Sequence, residues 1–318
     1  MLVGIWFVGS QPLLFTPEKV SSPEVSSKSL EENVRLLSET LPKRLGTENN
    51  LNPTVQWIEK KLKPFANKPH QKSYRQSYKV ENETFHNIFI EFVADLKHEP
   101  DEIIIIGAHY DTAHGFAGAD DNASGVAALI ELAKHLSENR EKLLHKVVLA
   151  FYPLEEPPYF RTDKMGSFIH ASSLKEKQQK VKMMISLDMI GYFSDEENSQ
   201  NLPFPLMDKI YPTQGNFIAI VANISNMMSV RKVKKTFKSA TQLPVYSFNA
   251  PALVQGIDFS DHLNFWHHDY PAVLITDTSF NRNKHYHTVH DTAEKLDYVK
   301  MAEVVKALYQ TAVQLGGQ

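Results

Sequence analysis

The sequence contains no cysteine. Disulfides and thiolate metal sites are therefore excluded, and any zinc must be held by histidine and carboxylate. The lack of cysteine leaves the compartment open, because exported chains can also do without it. An excess of one charge is missing too: the formal net charge is -3 over 318 residues, which gives no reason to expect a nucleic-acid partner or a strongly charged substrate. Long apolar runs are also absent. Residues 1–15 (MLVGIWFVGSQPLLF) form an apolar stretch with no Lys or Arg before it, and it falls short of the ~20 apolar residues that span a bilayer. Two readings of it stay open: the remnant of a signal peptide or anchor, which would mean an exported or periplasmic protein, or a packed or disordered tail on a cytoplasmic one. Residues 21–29 (SSPEVSSKS) read as a linker. The chain thus divides into residues 1–28, an apolar segment with its linker, and residues 29–318, a single domain.

What is present is an alternation of helical and strand patterns. Residues 29–41 and 53–62 place apolar side chains at helical spacing, with a Gly/Asn-rich turn at 46–50 between them. Residues 72–92 turn to short β-like runs, and 103–106 is an unbroken isoleucine run suited to a strand covered on both faces. A helix is expected over 123–136, further central strands over 147–151, 183–187, 217–221 and 272–275, and a last amphipathic helix over 298–315. Strands alternating with helices predict an α/β fold with a mainly parallel, doubly wound mixed sheet flanked by helices. Residues 194–214, polar and carrying Pro203, Pro205 and Pro212, read as a surface insertion or lid.

Chemistry-bearing residues gather where these strands end. His109 and Asp111 (GAHYDT) follow the isoleucine strand; Asp120, Asp121 and Asn122 (GADDNASG) precede a helix; Glu155 and Glu156 (LEE), Asp188 (LDMIGY) and His287 (HTVHDT) follow later strands. Singly, each has an ordinary explanation. A lone histidine is usually a surface or packing residue, an aspartate before a helix is usually its N-cap, and paired glutamates are usually solvated. Together they do not. Carboxylates clustered after successive apolar strands repel one another unless cations lie between them, and the strand carboxyl ends of an open α/β sheet line its binding crevice.

The ordered set GAHYDT, GADDNASG, LEE, LDMIGY, SDH and HTVHDT, spread over residues 107–297, resembles the M28 family of co-catalytic zinc aminopeptidases. The resemblance implies that His109 and Asp188 hold one zinc, that Glu156 and His287 hold a second, and that Asp121 bridges the two. Such a pair accepts a water and a peptide carbonyl between the metals, other divalent metals being possible. Glu155 is implied as the general base, acting on the N-terminal bond of peptide substrates. Asp111 is placed to orient the His109 ring, with Asp291 a weaker candidate for such support. Asp120 is a further candidate for such support and could cap the following helix, as could Asp121 or Asn122, and the family suggests a cis peptide between Asp121 and Asn122. Asp261 and His262 (SDH) lie near the pocket without assigned chemistry, and His114, His267, His268, His285 and His290 are expected not to be ligands.

One departure is the segment after LEE, PPYFRTDKMGS, where the family often has a short glycine turn. It either shapes a specificity pocket or packs against the insertion. The rival functions are a glutaminyl cyclase on the same fold, a carboxypeptidase, and a non-enzymic receptor-like domain. The doubled aspartate speaks against the cyclase and the intact ligand set against the receptor. Oligomeric state stays open.

Overall fold

The computed structural model describes residues 7–41, 43–93 and 101–315. The early part of the apolar N-terminal stretch, residues 1–6, lies outside them. Helix α1, Ser27–Arg35, is capped by the Ser26 hydroxyl, which accepts the amide of Ser29, and it buries Leu30 and Val34. Helix α2, Glu48–Ala66, buries Leu51, Val55, Ile58 and Leu62 along one stripe. It begins inside the stretch expected to be a turn. The reason is tertiary: the Glu48 carboxylate accepts the amide of Thr84, and the Glu48 amide donates to Glu83.

An antiparallel ribbon follows, β1 (Gln71–Val80) with β2 (Glu83–Phe92). The remaining strands are β3 (Glu102–His109), β4 (Lys146–Tyr152), β5 (Lys180–Leu187), β6 (Ile218–Asn223), β7 (Val245–Ala250) and β8 (Ala272–Thr276). They join the ribbon in one eight-stranded sheet ordered β1-β2-β4-β3-β5-β8-β6-β7. The centre, β4-β3-β5-β8, is parallel throughout, while the ribbon and the β8–β6 pairing are antiparallel. The doubly wound mixed sheet predicted from the alternation of elements is the fold.

Side-chain alternation decides which layer each strand residue joins. Ile104, Ile106, Val147, Leu149, Phe151, Ile185 and Leu187 face the larger core. There they meet α1, α2, α3 (Gly125–Glu138), α5 (Met227–Ala240) and α7 (Tyr298–Gln314). Ile103, Ile105, Val148, Ala150 and Met184 point the other way, onto α4 (Gly166–Glu176) and α6 (His262–His267). Burial on both faces is why these strands are continuous apolar runs.

The five expected central strands fall within β3, β4, β5, β6 and β8, except that Phe217 precedes β6. Strand β7 and helix α5 are not announced by the sequence pattern. In β7, Ser247 and Asn249 are buried polar residues, tolerated because Ser247 bonds the Ser10 carbonyl and Asn249 the Ala222 carbonyl. In α5 the buried stripe of Val230, Val233 and Phe237 is narrow and broken up by cations.

Candidate metal centre

Because β4, β3, β5 and β8 are parallel neighbours, their carboxyl ends open on one edge of the sheet. His109 is the last residue of β3, Asp188 directly follows β5, and Glu155 and Glu156 come just after β4. His287 arrives from the loop beyond β8 and Asp121 from the loop before α3. That last loop turns through Gly118 at φ +56°, where a side chain would run into the Asp121 carbonyl and Thr112. The Asp121–Asn122 peptide is cis, as the resemblance suggested.

The side chains converge. His109 Nε2 lies 3.3 Å from Asp121 Oδ1, 3.6 Å from Asp188 Oδ2 and 3.8 Å from Glu155 Oε2. His287 Nε2 lies 3.1 Å from the other Asp121 oxygen and 3.2 Å from Glu156 Oε2. Asp121 therefore shows one oxygen to each imidazole. Two groups result, His109 with Asp121 and Asp188, and His287 with Asp121 and Glu156, each with its donor atoms within 4.8 Å of one another. A third, overlapping group joins His109, Glu155 and Glu156.

This donor set fits divalent cations. Both ring nitrogens of His109 are buried without a hydrogen-bond partner, a costly arrangement for a polar ring unless something else meets it. The electrostatics point the same way. Burial and the Asp121 charge push Glu156 up to about 7. Burial also raises Glu155 well above the usual carboxylate range, aided by Asp188 and Glu156 against the opposing pull of His109. Burial disfavours the charged form of His287, but hydrogen bonds to Asp121 and Glu156 outweigh it and lift the ring to about 10. Burial acts against ionised Asp121 as well, yet the adjacent His109 and His287 imidazoles hold it below its ordinary value. Burial opposes a charged His109 too, but Glu155 and Asp188 outweigh it and raise the ring well above its ordinary value, so a proton on each imidazole is favoured as counter-charge to the carboxylates. Imidazole and carboxylate are zinc ligands, and zinc binding would displace those protons.

A ring of support holds the cluster. The Asp111 carboxylate accepts the amides of Glu155 at 3.2 Å and Glu156 at 3.0 Å, and lies 3.5 Å from His109 Nδ1. Asp291 accepts the amides of Asp120 and Asp121, both at 3.0 Å. Of the three candidates for the helix cap, Asp120 is not the one used. Its carboxylate is occupied by the Gly191 amide and the Asn283 side chain, both at 2.9 Å, while the Asn122 side chain meets the Gly125 amide at the start of α3. Asp120 thus ties together the loops that follow β5 and β8.

His262 bonds the Ile257 carbonyl at 2.8 Å and packs edge-on against Trp266, a structural role. Asp261 is wholly buried, and burial pushes it up to about 7. Among the described residues, His114, His267, His268, His285 and His290 join no ligand group.

Arg44 escaped the sequence reading. Fully buried, it donates to the carbonyls of Tyr110 (2.9 Å), Gly118 (2.7 Å), Ala117 (3.2 Å) and Leu37. It thereby clamps the loops that carry His109 and Asp121. Burial lowers it to about 10, against the pull of Asp291, Asp121, Asp111 and Glu156. A lone arginine between two helical patterns carries no signal of such a role. Tyr286, whose ring stacks on His287 at 3.8 Å, went unnoticed as well, although it stands inside the HYHTVHDT stretch.

A cavity of about 440 Å³ opens from the cluster. Much of its wall is apolar, including Phe217, Phe248, Phe259, Leu274 and Phe280. Residues 194–214 contribute Leu202, Pro203, Met207 and Tyr211. The departure segment contributes Phe160 and Arg161, so it does shape the pocket. Arg161 also pairs with Asp258, one guanidinium nitrogen reaching both carboxylate oxygens at 2.5 and 2.6 Å, and its guanidinium lies against the Phe160 and Phe259 rings.

A buried imidazole–carboxylate cluster on the carboxyl edge of a doubly wound sheet, opening into a cavity, defines a metallohydrolase-type site. Residues 91–312 match the family model of peptidase family M28. The chain belongs to that family and is a hydrolase. The uncharacterised Escherichia coli (strain K12) protein YfbL is 44% identical over 289 residues, covering 88% of this chain and 85% of the relative. A probable aminopeptidase of Saccharomyces cerevisiae, YDR415C, is 25% identical over 229 residues; the match covers 68% of this chain but only 54% of the yeast protein. Among solved structures, LapB from Legionella pneumophila superposes with a TM-score of 0.73 at 20% identity, over 92% of this chain and 73% of that one. A glutaminyl cyclase from an Acidobacteriales bacterium gives 0.65, also at 20% identity, over 96% and 99%. At such identities these two likenesses speak for the fold alone.

Proposed function

We propose that the chain is an aminopeptidase that removes the first residue of peptides at a two-zinc site. The observation that carries this reading is the pair of ligand groups sharing Asp121, with Glu155 beside them. In this reading His109 and Asp188 hold one ion, His287 and Glu156 the other, and Asp121 both. Bound there, the ions would supply Lewis acidity to the scissile carbonyl and acidify water between them. Glu155, with its raised proton affinity, takes the proton of the attacking water and returns it to the leaving amine. Asp111 and Asp291 hold the backbone of the ligand loops, and the apolar wall receives an apolar first side chain.

The test is a panel of aminoacyl anilides, N-blocked peptides and N-terminal glutamine peptides, assayed before and after chelation. The expected result is release from free-amine substrates with apolar first residues, lost on chelation and restored by zinc. Cyclisation of glutamine without cleavage, or cleavage from the carboxyl end, would overturn the reading.

A further inference from the structure

Helix α5 carries Arg231, Lys232, Lys234, Lys235 and Lys238 and no acidic residue, in a chain whose net charge is -3. Lys232, Lys235 and Lys238 are exposed along one stripe with Met228, which is 64% exposed. Among the described residues none of these lysines, nor Arg231, is ion-paired.

Residues 7–20 lie along this helix and are tied to it at both ends. Arg231 donates to the Pro12 carbonyl at 3.1 Å and sits over the Phe7 ring. The buried Lys234 donates to the carbonyls of Ser10 and Gln11, at 2.6 and 3.3 Å. Lys19 reaches the carbonyls of Lys238 and Thr241, and the Val20 amide that of Ser239. Between these ties the segment turns Leu14 and Phe15 outward, 73% and 85% exposed, with Phe7 and Val20 less so. Its one acid is Glu18.

A single exposed apolar side chain is ordinary. Apolar side chains pinned outward beside a row of unpaired cations form a combination that water does not reward. A bilayer interface with anionic headgroups does, since it takes lysines at the phosphates and an aromatic ring among the upper acyl chains. An acidic protein would satisfy the lysines but has no matching need for Leu14 and Phe15. We infer that α5 and residues 7–20 form a docking face for an anionic phospholipid surface. No described helix is long and apolar enough to cross a membrane; the proposed contact is made by the surface of α5 and residues 7–20. Tyr211, Tyr246 and Ser247 line both the catalytic cavity and the space beneath this segment, so the docked face backs directly onto the site.

The experiment is co-sedimentation of the full chain with vesicles of phosphatidylcholine, and of phosphatidylcholine mixed with phosphatidylglycerol, at low and high salt. Binding is expected on the mixed vesicles only, with release by salt. A variant with Lys232→Glu, Lys235→Glu and Lys238→Glu should bind about tenfold or more weakly. Leu14→Ser with Phe15→Ser should weaken binding several-fold and leave its salt dependence in place. Thermal unfolding confirms that each variant folds; if the triple variant does not, Lys235→Glu alone should still lower binding measurably. Equal binding to both vesicle types, no binding to either, or parent-like binding by the lysine variants overturns the inference. So does a parent dimer that charge reversal splits while vesicle binding stays absent, since a second copy would then be the occupant.

Discussion

Two regions of this molecule concentrate charge of one sign, and they do so in opposite ways. At the carboxyl edge of the sheet, Asp121, Glu155, Glu156 and Asp188 crowd around two imidazoles and are almost wholly shielded from solvent. On α5, Lys232, Lys235 and Lys238 stand in water. Water screens the lysines, so they cost the fold little and stay available to an outside partner. Water screens the carboxylates far less, so their mutual repulsion must be met inside the protein, by imidazole protons or by metal. Burial, rather than the number of charges, turns a cluster into a demand for a counter-ion.

The most damaging way to break this contrast is at its centre. Asp121→Asn should bring zinc content, read by elemental analysis, towards zero, and peptide hydrolysis should fall at least as far as in any other variant. Glu155→Gln should separate holding metal from moving protons: zinc stays bound while kcat falls by about 10²–10⁴-fold, and full activity with full metal would remove Glu155 from the mechanism. Cations divide in the same way. Arg44→Met leaves buried carbonyls unmet among carboxylates and should cost about 3–5 kcal/mol in urea unfolding.

Buried histidines give a pH-dependent counterpart. Burial lowers His170 to about 3 and His262 to about 4, so the fold favours their neutral forms. Their contribution is complete above the unfolded value near 6.5 and is lost as pH falls from there towards those folded values. At pH 5 each should cost about 2 kcal/mol relative to neutral pH. In His170→Asn the gap between urea midpoints at the two pH values should narrow by that share. The smallest effect belongs to the exposed helix: Lys235→Ala should change stability by no more than about 0.5 kcal/mol, and a larger loss would mean that α5 depends on its lysines.

Much of the fold was readable because a doubly covered sheet demands continuous apolar strands. The isoleucine run of β3 announces its own burial. The strands that mix polar and apolar residues, such as β7, hide theirs, because Ser247 and Asn249 are buried by virtue of partners at Ser10 and Ala222. Asp120 shows the limit of local reading. An aspartate before a helix has an evident local role, yet two partners far along the chain, Gly191 and Asn283, compete for its carboxylate and win.

By itself, the sequence ruled out thiolate ligands, located the apolar strands, and set His109, Glu155, Glu156, Asp188 and His287 just beyond them. It did so because strand periodicity and residue chemistry are local properties of the chain. The tertiary structure alone decided that Asp121 shows one oxygen to each histidine, that Arg44 clamps the ligand loops from beneath, and that Phe160, Tyr211 and Phe248 share a cavity wall. These residues are distant in the chain and meet only once the strands are ordered β4-β3-β5-β8. Only then are the carboxylates desolvated, and desolvation is what raises the proton affinities of Glu155 and Glu156 and makes the cluster call for a counter-charge.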